Sequence, residues 1–171
     1  MGTKYQGTGK IAASDYKAVK WVGVTHSGLA CTIELKKAIN LTNIDWTMQE
    51  KNDVVPSLEY AAVYSNTNSV SDSAEEPWTV EINGTLSAGA QEIVLGAGEF
   101  FVGGASVGLS RGGGKFTVER EYREINADGD RGPVENRIVM ESSRAKLTMN
   151  VLTMLTKMAD LYPAVSATVT Q

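Results

Sequence analysis

The sequence predicts a mainly β protein with one short helix near its carboxyl end. Three observations support this: several segments alternate apolar and polar residues, glycines separate those segments, and one later segment has helical spacing. The chain has 17 glycines among its 171 residues, which permit tight turns between strands. A chain of this length favours one domain, residues 1–171, with a single core.

The period-two pattern predicts strands at residues 18–24, 30–37, 58–64, 78–82, 92–95, 100–102, 115–122 and 145–151. The last is the clearest, with one apolar face made of Ala145, Leu147, Met149 and Val151. A helix is predicted at residues 153–161, because Met154, Met158 and Leu161 are spaced four and three residues apart and Pro163 follows. A repeated VG[VL][ST] and T[IV]E frame, starting at Val22 and at Val107, suggests two pseudo-repeat halves of about 1–85 and 86–171.

Composition and charge limit the possible functions. The 16 basic and 20 acidic residues give a net charge of -4, which provides no basic footprint for gripping nucleic acid. The single cysteine, Cys31, excludes an internal disulfide, and the single histidine, His26, excludes a site with two imidazoles. We expect a small buried thiol and a surface or hydrogen-bonded imidazole. No apolar run is long enough to span a bilayer or resembles a secretory signal, which predicts a soluble protein made in the cytoplasm.

Catalytic motifs are weak throughout the sequence. GLSRGGGK resembles a phosphate-binding loop but has Phe116 where a Ser or Thr would reach magnesium, and NADGDRGP lacks the full calcium-loop pattern because residue 132 is glycine. The only histidine has no triad partners marked out by a motif. We therefore expect no enzyme activity, no metal and no cofactor.

The segment EREYRE, residues 119–124, is unusual for a strand. As a strand it would place Glu119, Glu121 and Arg123 on one face and charges on the other face too, and buried unpaired charge is costly. It fits a projecting hairpin, a solvated helix with i,i+4 pairs, or a strand whose partners are other copies of the chain.

Residues 92–151 resemble part of the major tail tube proteins of long-tailed (siphovirus-type) bacteriophages. The similar elements are GAGEFFV, the turn VGLSRGGGKF, the charged strand EREYREI, the turn DGDRGPV, and AKLTMNV before a short helix. Residues 15–82 resemble the other half of that family through DYKAVKWVGV, ACTIELKKAIN, IDW, KNDVVPSLEYAAVYS and EEPWTVEI. The two segments stand in reversed order, since relatives have the GAGEFFV-like segment first and the PWTVEI-like segment last. The sequence therefore resembles a circular permutant, natural or engineered, with residues 83–85 as the new joint.

The resemblance implies a two-sheet β-sandwich or partial barrel with one flanking helix. It also implies assembly into stacked rings, usually hexameric, that form a hollow tube for DNA passage in the virion tail, after assembly in the host cytoplasm. The implied partners are other copies of the chain and the tape measure, tail terminator and baseplate proteins, with no membrane. Candidate residues for the lumen or the subunit interface are Glu119, Glu121, Asp128 and Asp130, with Arg120, Arg123 and Arg131 as partners across subunits.

A different class of function also fits the residues. A monomeric β-sandwich binding module of a virion, recognising a carbohydrate or a receptor, would need an aromatic platform. Trp21, Trp46 and Trp78 are the candidates for it, and their other interpretation is as core residues.

Overall fold

The structure is a computed structural model that describes residues 2–46, 54–64, 76–84, 94–128, 132, 134–135, 137–152 and 154–170. The protein is mainly β, with an eight-stranded antiparallel sheet, a two-stranded sheet and one short helix. The elements in chain order are β1 (Gly2–Gly7), a 3₁₀ turn (Ala13–Asp15), β2 (Lys17–Thr25), β3 (Ala30–Asn40), β4 (Ser57–Ala62), β5 (Trp78–Asn83), β6 (Val94–Val102), β7 (Ala105–Ser106), β8 (Ser110–Glu124), β9 (Ile138–Val151), α1 (Met154–Leu161) and β10 (Val165–Thr170).

The large sheet has the strand order β7-β6-β2-β3-β4-β9-β8, and β5 pairs with β3 beside this path. Strand β3 has two partners on one side, because residues 30–35 pair with β5 and residues 38–40 pair with β4. The strands of the predicted first half, β2 to β5, lie in the middle of the order, and those of the second half flank them. The two halves therefore share one sheet.

The core lies on one face of these strands, as the alternation predicts. The predicted apolar face of β9 is confirmed, since Ala145, Leu147, Met149 and Val151 are all buried. Burying an aliphatic side chain of this size contributes about 1.5–3 kcal/mol to folding, so this row is a main source of stability.

Two aromatic contacts bring the amino-terminal part of β8 against other strands. The rings of Trp78 on β5 and Phe116 on β8 meet edge to face, with centroids 5.5 Å apart. The Phe100 ring on β6 lies against the backbone of Gly114, where a Cβ would be 2.5 Å from its Cζ. Only glycine permits this approach, so the glycine-rich start of β8 lets that strand lie close to β6.

Helix α1 confirms the predicted helix, although Thr153 lies outside the described residues. Leu161 is buried and Met158 packs against the core. The carbonyl of Leu161 accepts hydrogen bonds from the Asn40 amide nitrogen and the Tyr60 hydroxyl, each at 2.8 Å. The two side chains supply the partners that a helix end lacks within the helix itself.

Several boundaries differ from the prediction. The segments 94–95 and 100–102 belong to one strand, β6, whereas Glu92 and Ile93 lie outside the described residues, and the strand predicted at 58–64 ends at Ala62. The glycines of the predicted GLSRGGGK turn lie inside β8 at a register shift, where Gly112 and Gly113 have positive φ. Glycine permits that conformation in a bulge, as it does in a tight turn. Cys31 is buried and His26 is exposed at the β2–β3 turn, both as expected.

Candidate functional site

The EREYRE segment forms part of a two-stranded arm, which we define as residues 119–124 of β8 and 138–144 of β9. The arm is antiparallel, with register pairs running from Glu119 opposite Arg144 to Glu124 opposite Ile138. Every arm residue except Ser143 is exposed. The helix alternative is therefore wrong, and the charges stand on both faces because both faces meet solvent.

One face of the arm has ion pairs between its strands. The Arg123 Nε lies 2.7 Å from a carboxylate oxygen of Glu141, which occupies the extra position of a bulge opposite Glu121 and Tyr122. The Ser142 hydroxyl donates to Glu121 at 2.8 Å. At the base of the arm, Lys146 lies 3.4 Å from Glu119 and 3.7 Å from Glu59. These exposed pairs contribute little individually to stability.

The opposite face has a polar cluster at its base. The Tyr64 hydroxyl and the Ser143 hydroxyl both donate to Oε2 of Glu76, at 3.3 and 3.0 Å. Partial burial raises the pKa of Tyr64, the Glu76 carboxylate raises it further, and a hydrogen bond with Ser143 and the nearby Arg120 oppose the change. The cluster ties the segment before β5 to the base of the arm.

Beyond this cluster the same face is mainly apolar, with Glu124 at the register position opposite Ile138. Tyr122 and Met140 are register partners, and they are 59% and 46% exposed, while Ile138 is 52% exposed. Cross-strand partners point to the same side of a sheet, so these three side chains form one continuous patch, which we call the arm patch. Adjacent exposed apolar side chains of this size are typical of a surface that meets another molecule.

The outer edge of β8 is the other notable feature of the arm. Among the described residues no strand pairs with the outer side of β8, or with that of β7 at the other end of the strand order. An exposed strand edge presents unpaired backbone donors and acceptors that can accept another strand.

The predicted site residues are only partly brought together. Glu119, Arg120, Glu121 and Arg123 share the arm, and Asp128 lies exposed just beyond it. Asp130 and Arg131 lie outside the described residues. Arg123, predicted to pair across subunits, has a partner within its own chain.

Sequence reasoning missed the part of the arm that β9 contributes, with Met140 and Glu141. The run Ile138, Val139, Met140 is the only signal for this extension of β9, and it lacks period-two alternation.

The tryptophans do not form a binding platform. Trp21 is buried in the core, and Trp46 and Trp78 pack against it with their indole nitrogens buried.

Among the described residues, no group of three or more His, Cys, Asp or Glu side chains is placed to hold a metal ion. No helix in the described part of the chain is both long and apolar enough to cross a membrane.

Comparisons with known proteins add no identification. No protein-family model, curated protein or solved structure matches the chain.

Proposed function

We propose that the protein is a structural subunit that self-assembles into stacked rings, most simply hexameric, forming the hollow tail tube of a long-tailed bacteriophage. DNA would pass through the tube on ejection, and the tape measure, tail terminator and baseplate proteins would bind the assembled tube. Its place would be the virion tail, after assembly in the host cytoplasm. The proposal starts from the motif resemblance between the sequence and tail tube proteins.

The observation that carries the proposal is the exposed arm with its free β8 edge. A strand that exposes both faces and one edge gains most when a neighbouring subunit covers it. The strand order ends in β8 on one side and in β7 and β6 on the other. Pairing β8 of one subunit with that second edge of the next would continue the sheet around a ring and cover both of these edges.

The negative charge of the chain favours a channel through which DNA moves, rather than a surface that binds DNA tightly. The net charge of the chain is -4, and the arm, with four glutamates and three arginines, has a net charge of -1. A lumen of this sign repels phosphates and lets DNA slide, whereas a binding groove would be basic.

The positions of the strand ends support the circular permutation. Gly2 of β1 and Thr170 of β10 are register partners, so a short turn could join the two strands. The other joint lies between β5 and β6. Asn83 at the end of β5 pairs with Ala30, and Val94 at the start of β6 pairs with Thr25, so these two strand ends lie beside the β2–β3 turn. Three strand spacings, about 14 Å, separate β5 from β6 there. Residues 84–93 are long enough to bridge that gap.

The binding-module alternative has lost its main support. All three tryptophans lie in the core or against it, so none of them offers a flat exposed ring to a sugar.

Negative-stain electron microscopy with light scattering at several concentrations tests the proposal. Rings or hollow tubes of uniform width are expected, and a compact monomer at every concentration would contradict the proposal.

Exchanging two arm charges, Glu121→Arg with Arg123→Glu, should weaken tube assembly and leave the subunit folded.

The matched control exchanges Lys20 and Glu34, an ion pair at 3.1 Å on neighbouring strands away from the arm. This exchange preserves the pair, so tube assembly should be unchanged. Equal assembly by both exchanged chains would remove the arm from the interface.

A further inference from the structure

We propose that the free edge of β8 pairs with β8 of a second copy of this chain, antiparallel, about a two-fold axis at Tyr122. This contact is independent of the tube proposal. It uses the same edge in a different way, because a two-fold contact closes on itself as a dimer whereas a ring needs head-to-tail contacts.

The backbone of the arm is set for this pairing. The Ile125 N–H donates to the Arg137 carbonyl on the β9 side at 2.9 Å. Backbone groups alternate in direction along an antiparallel strand, so Arg120, Tyr122 and Glu124 direct theirs to the free edge. A two-fold axis at Tyr122 then makes the two Tyr122 residues a hydrogen-bonded pair, and residues 120 and 124 form the next such pairs on either side.

The charge pattern is self-complementary in this register. Residues equally distant from Tyr122 have opposite charge, so Glu121 faces the copy's Arg123 and Arg120 faces the copy's Glu124. Opposite charges directly across a strand pair stabilise it, and like charges destabilise it. A shift of two residues, the smallest that keeps the backbone groups of both strands facing each other, places Glu121 opposite the copy's Glu121 in one direction and Arg123 opposite the copy's Arg123 in the other. The charges therefore select one register.

The same register covers the arm patch. Tyr122 lies beside Met140 in its own chain and would lie beside Tyr122 of the copy. Four side chains, Met140 and Tyr122 from each subunit, would form a continuous apolar row across the dimer. The exposure of Tyr122 at 59% and of Met140 at 46% in the single chain then has a structural reason.

The dimer would occupy the edge that a head-to-tail ring needs. A chain held as a dimer is thereby kept from assembling through that edge until the dimer dissociates. The exchange of Glu121 and Arg123 separates the two contacts, because the two-fold register keeps opposite charges facing each other after the exchange and a head-to-tail contact has no such symmetry.

Sedimentation velocity on single and mixed charge variants tests the register. Glu121→Arg alone places arginines opposite each other, and Arg123→Glu alone places glutamates opposite each other, so each should raise the dimer Kd about ten-fold. An equimolar mixture of the two variants restores every opposite pair and should form a heterodimer close to wild-type affinity. Failure of the mixture to recover, with both chains folded by circular dichroism, would overturn the proposal. So would a wild-type chain that stays monomeric into the high micromolar range.

A disulfide test locates the axis independently. Residues at a two-fold hydrogen-bonded pair have Cα atoms about 5.5 Å apart, within the range that a disulfide spans. Tyr122→Cys should therefore give a covalent dimer on mild oxidation, and Cys31 is too buried to compete. Glu119→Cys is the control, because in this register its own copy lies six residues away along the strand. Equal cross-linking of both variants, or none at Tyr122→Cys, would refute the axis.

Discussion

The indole ring of Trp21 lies over Gly98, in the space that a side chain at position 98 would occupy. Gly98 is the register partner of Gly23, and a Cβ on Gly23 would also meet the Trp21 ring. The indole ring of the buried Trp21 therefore packs directly against the backbone of these two facing glycines on β2 and β6. The core accommodates its largest ring because this cross-strand pair has no side chains.

Gly98→Ala should therefore destabilise the fold. The new methyl group would force Trp21 out of its position, and overpacking of this kind costs about 1–3 kcal/mol. Urea unfolding monitored by tryptophan fluorescence measures the change. Gly7→Ala is the control, because a Cβ there meets nothing within 4 Å, and its unfolding midpoint should stay near that of the wild type. An unchanged midpoint for Gly98→Ala would show that the ring moves aside freely.

Asn40→Ala should destabilise the junction between α1 and the sheet. The buried Asn40 donates to the Leu161 carbonyl and accepts from the Thr42 N–H, both at 2.8 Å. Its loss leaves the Thr42 N–H without that acceptor, and we expect a cost of about 1–3 kcal/mol in the free energy of unfolding. Thr8→Ala removes an exposed hydroxyl and should change stability by less than about 0.5 kcal/mol. Equal effects of the two changes would contradict this account.

The fold should lose stability in alkaline solution through Tyr60. Burial raises the pKa of Tyr60 above its ordinary value, and Tyr162 and Asp160 raise it further. The native state then holds the phenolic proton at a pH where the unfolded chain releases it. The contribution of Tyr60 to the free energy of unfolding should be flat below the ordinary tyrosine pKa of about 10 and fall above it, by up to about 1.4 kcal/mol per pH unit.

Tyr60→Phe is the matched variant for this alkaline effect. It loses the hydrogen bond to Leu161 and should be less stable at neutral pH, but its decline above pH 10 should be shallower. Burial also raises the pKa of Tyr162, so some decline should remain. Parallel curves for the two chains would mean that Tyr60 does not titrate with unfolding.

A rearranged chain should keep the fold. Gly2 and Thr170 lie opposite each other, so a two-residue or three-residue turn can link β10 to β1, and the chain can be reopened after Gly84. We expect the same circular dichroism spectrum and a similar unfolding midpoint. The control reopens the chain between Leu35 and Lys36 in the middle of β3, where a break should abolish cooperative unfolding. Loss of folding in both chains would contradict the adjacency of the terminal strands.

The central strands could be predicted because their burial is one-sided. Apolar and polar residues alternate along β2, β3 and β9, which indicates that one face of each strand packs against the core. Residues of that face, such as Val19, Leu35 and Leu147, are buried. Strands β1 and β10 gave no such signal, since most of their described side chains are exposed and their pairing rests on backbone hydrogen bonds. Periodicity cannot report a strand that buries little.

The arm was predictable in its charge but not in its pairing. The charges of residues 119–124 indicated exposure, and their conflict with a buried strand was visible in the sequence. The intrachain partner Glu141 was not, because the bulge that places it beside Arg123 depends on the register of β9. A one-residue change of register alters which charges meet, and no local pattern specifies it.

The pairing of β1 with β10 also determines how the chain responds to a pulling force. Tension applied at Gly2 and Thr170 would act across the strands, so the hydrogen bonds would open one after another, like a zipper, at low force. Opening would proceed to Gly7 and Val165 and then meet the Thr8 N–H bonded to the Ala164 carbonyl at 2.7 Å. There the Asp15 carboxylate also accepts from the Ala164 N–H, at 3.2 Å. The two-stranded sheet would therefore open first. The eight-stranded sheet would bear the pulling force only after β1 and β10 had separated.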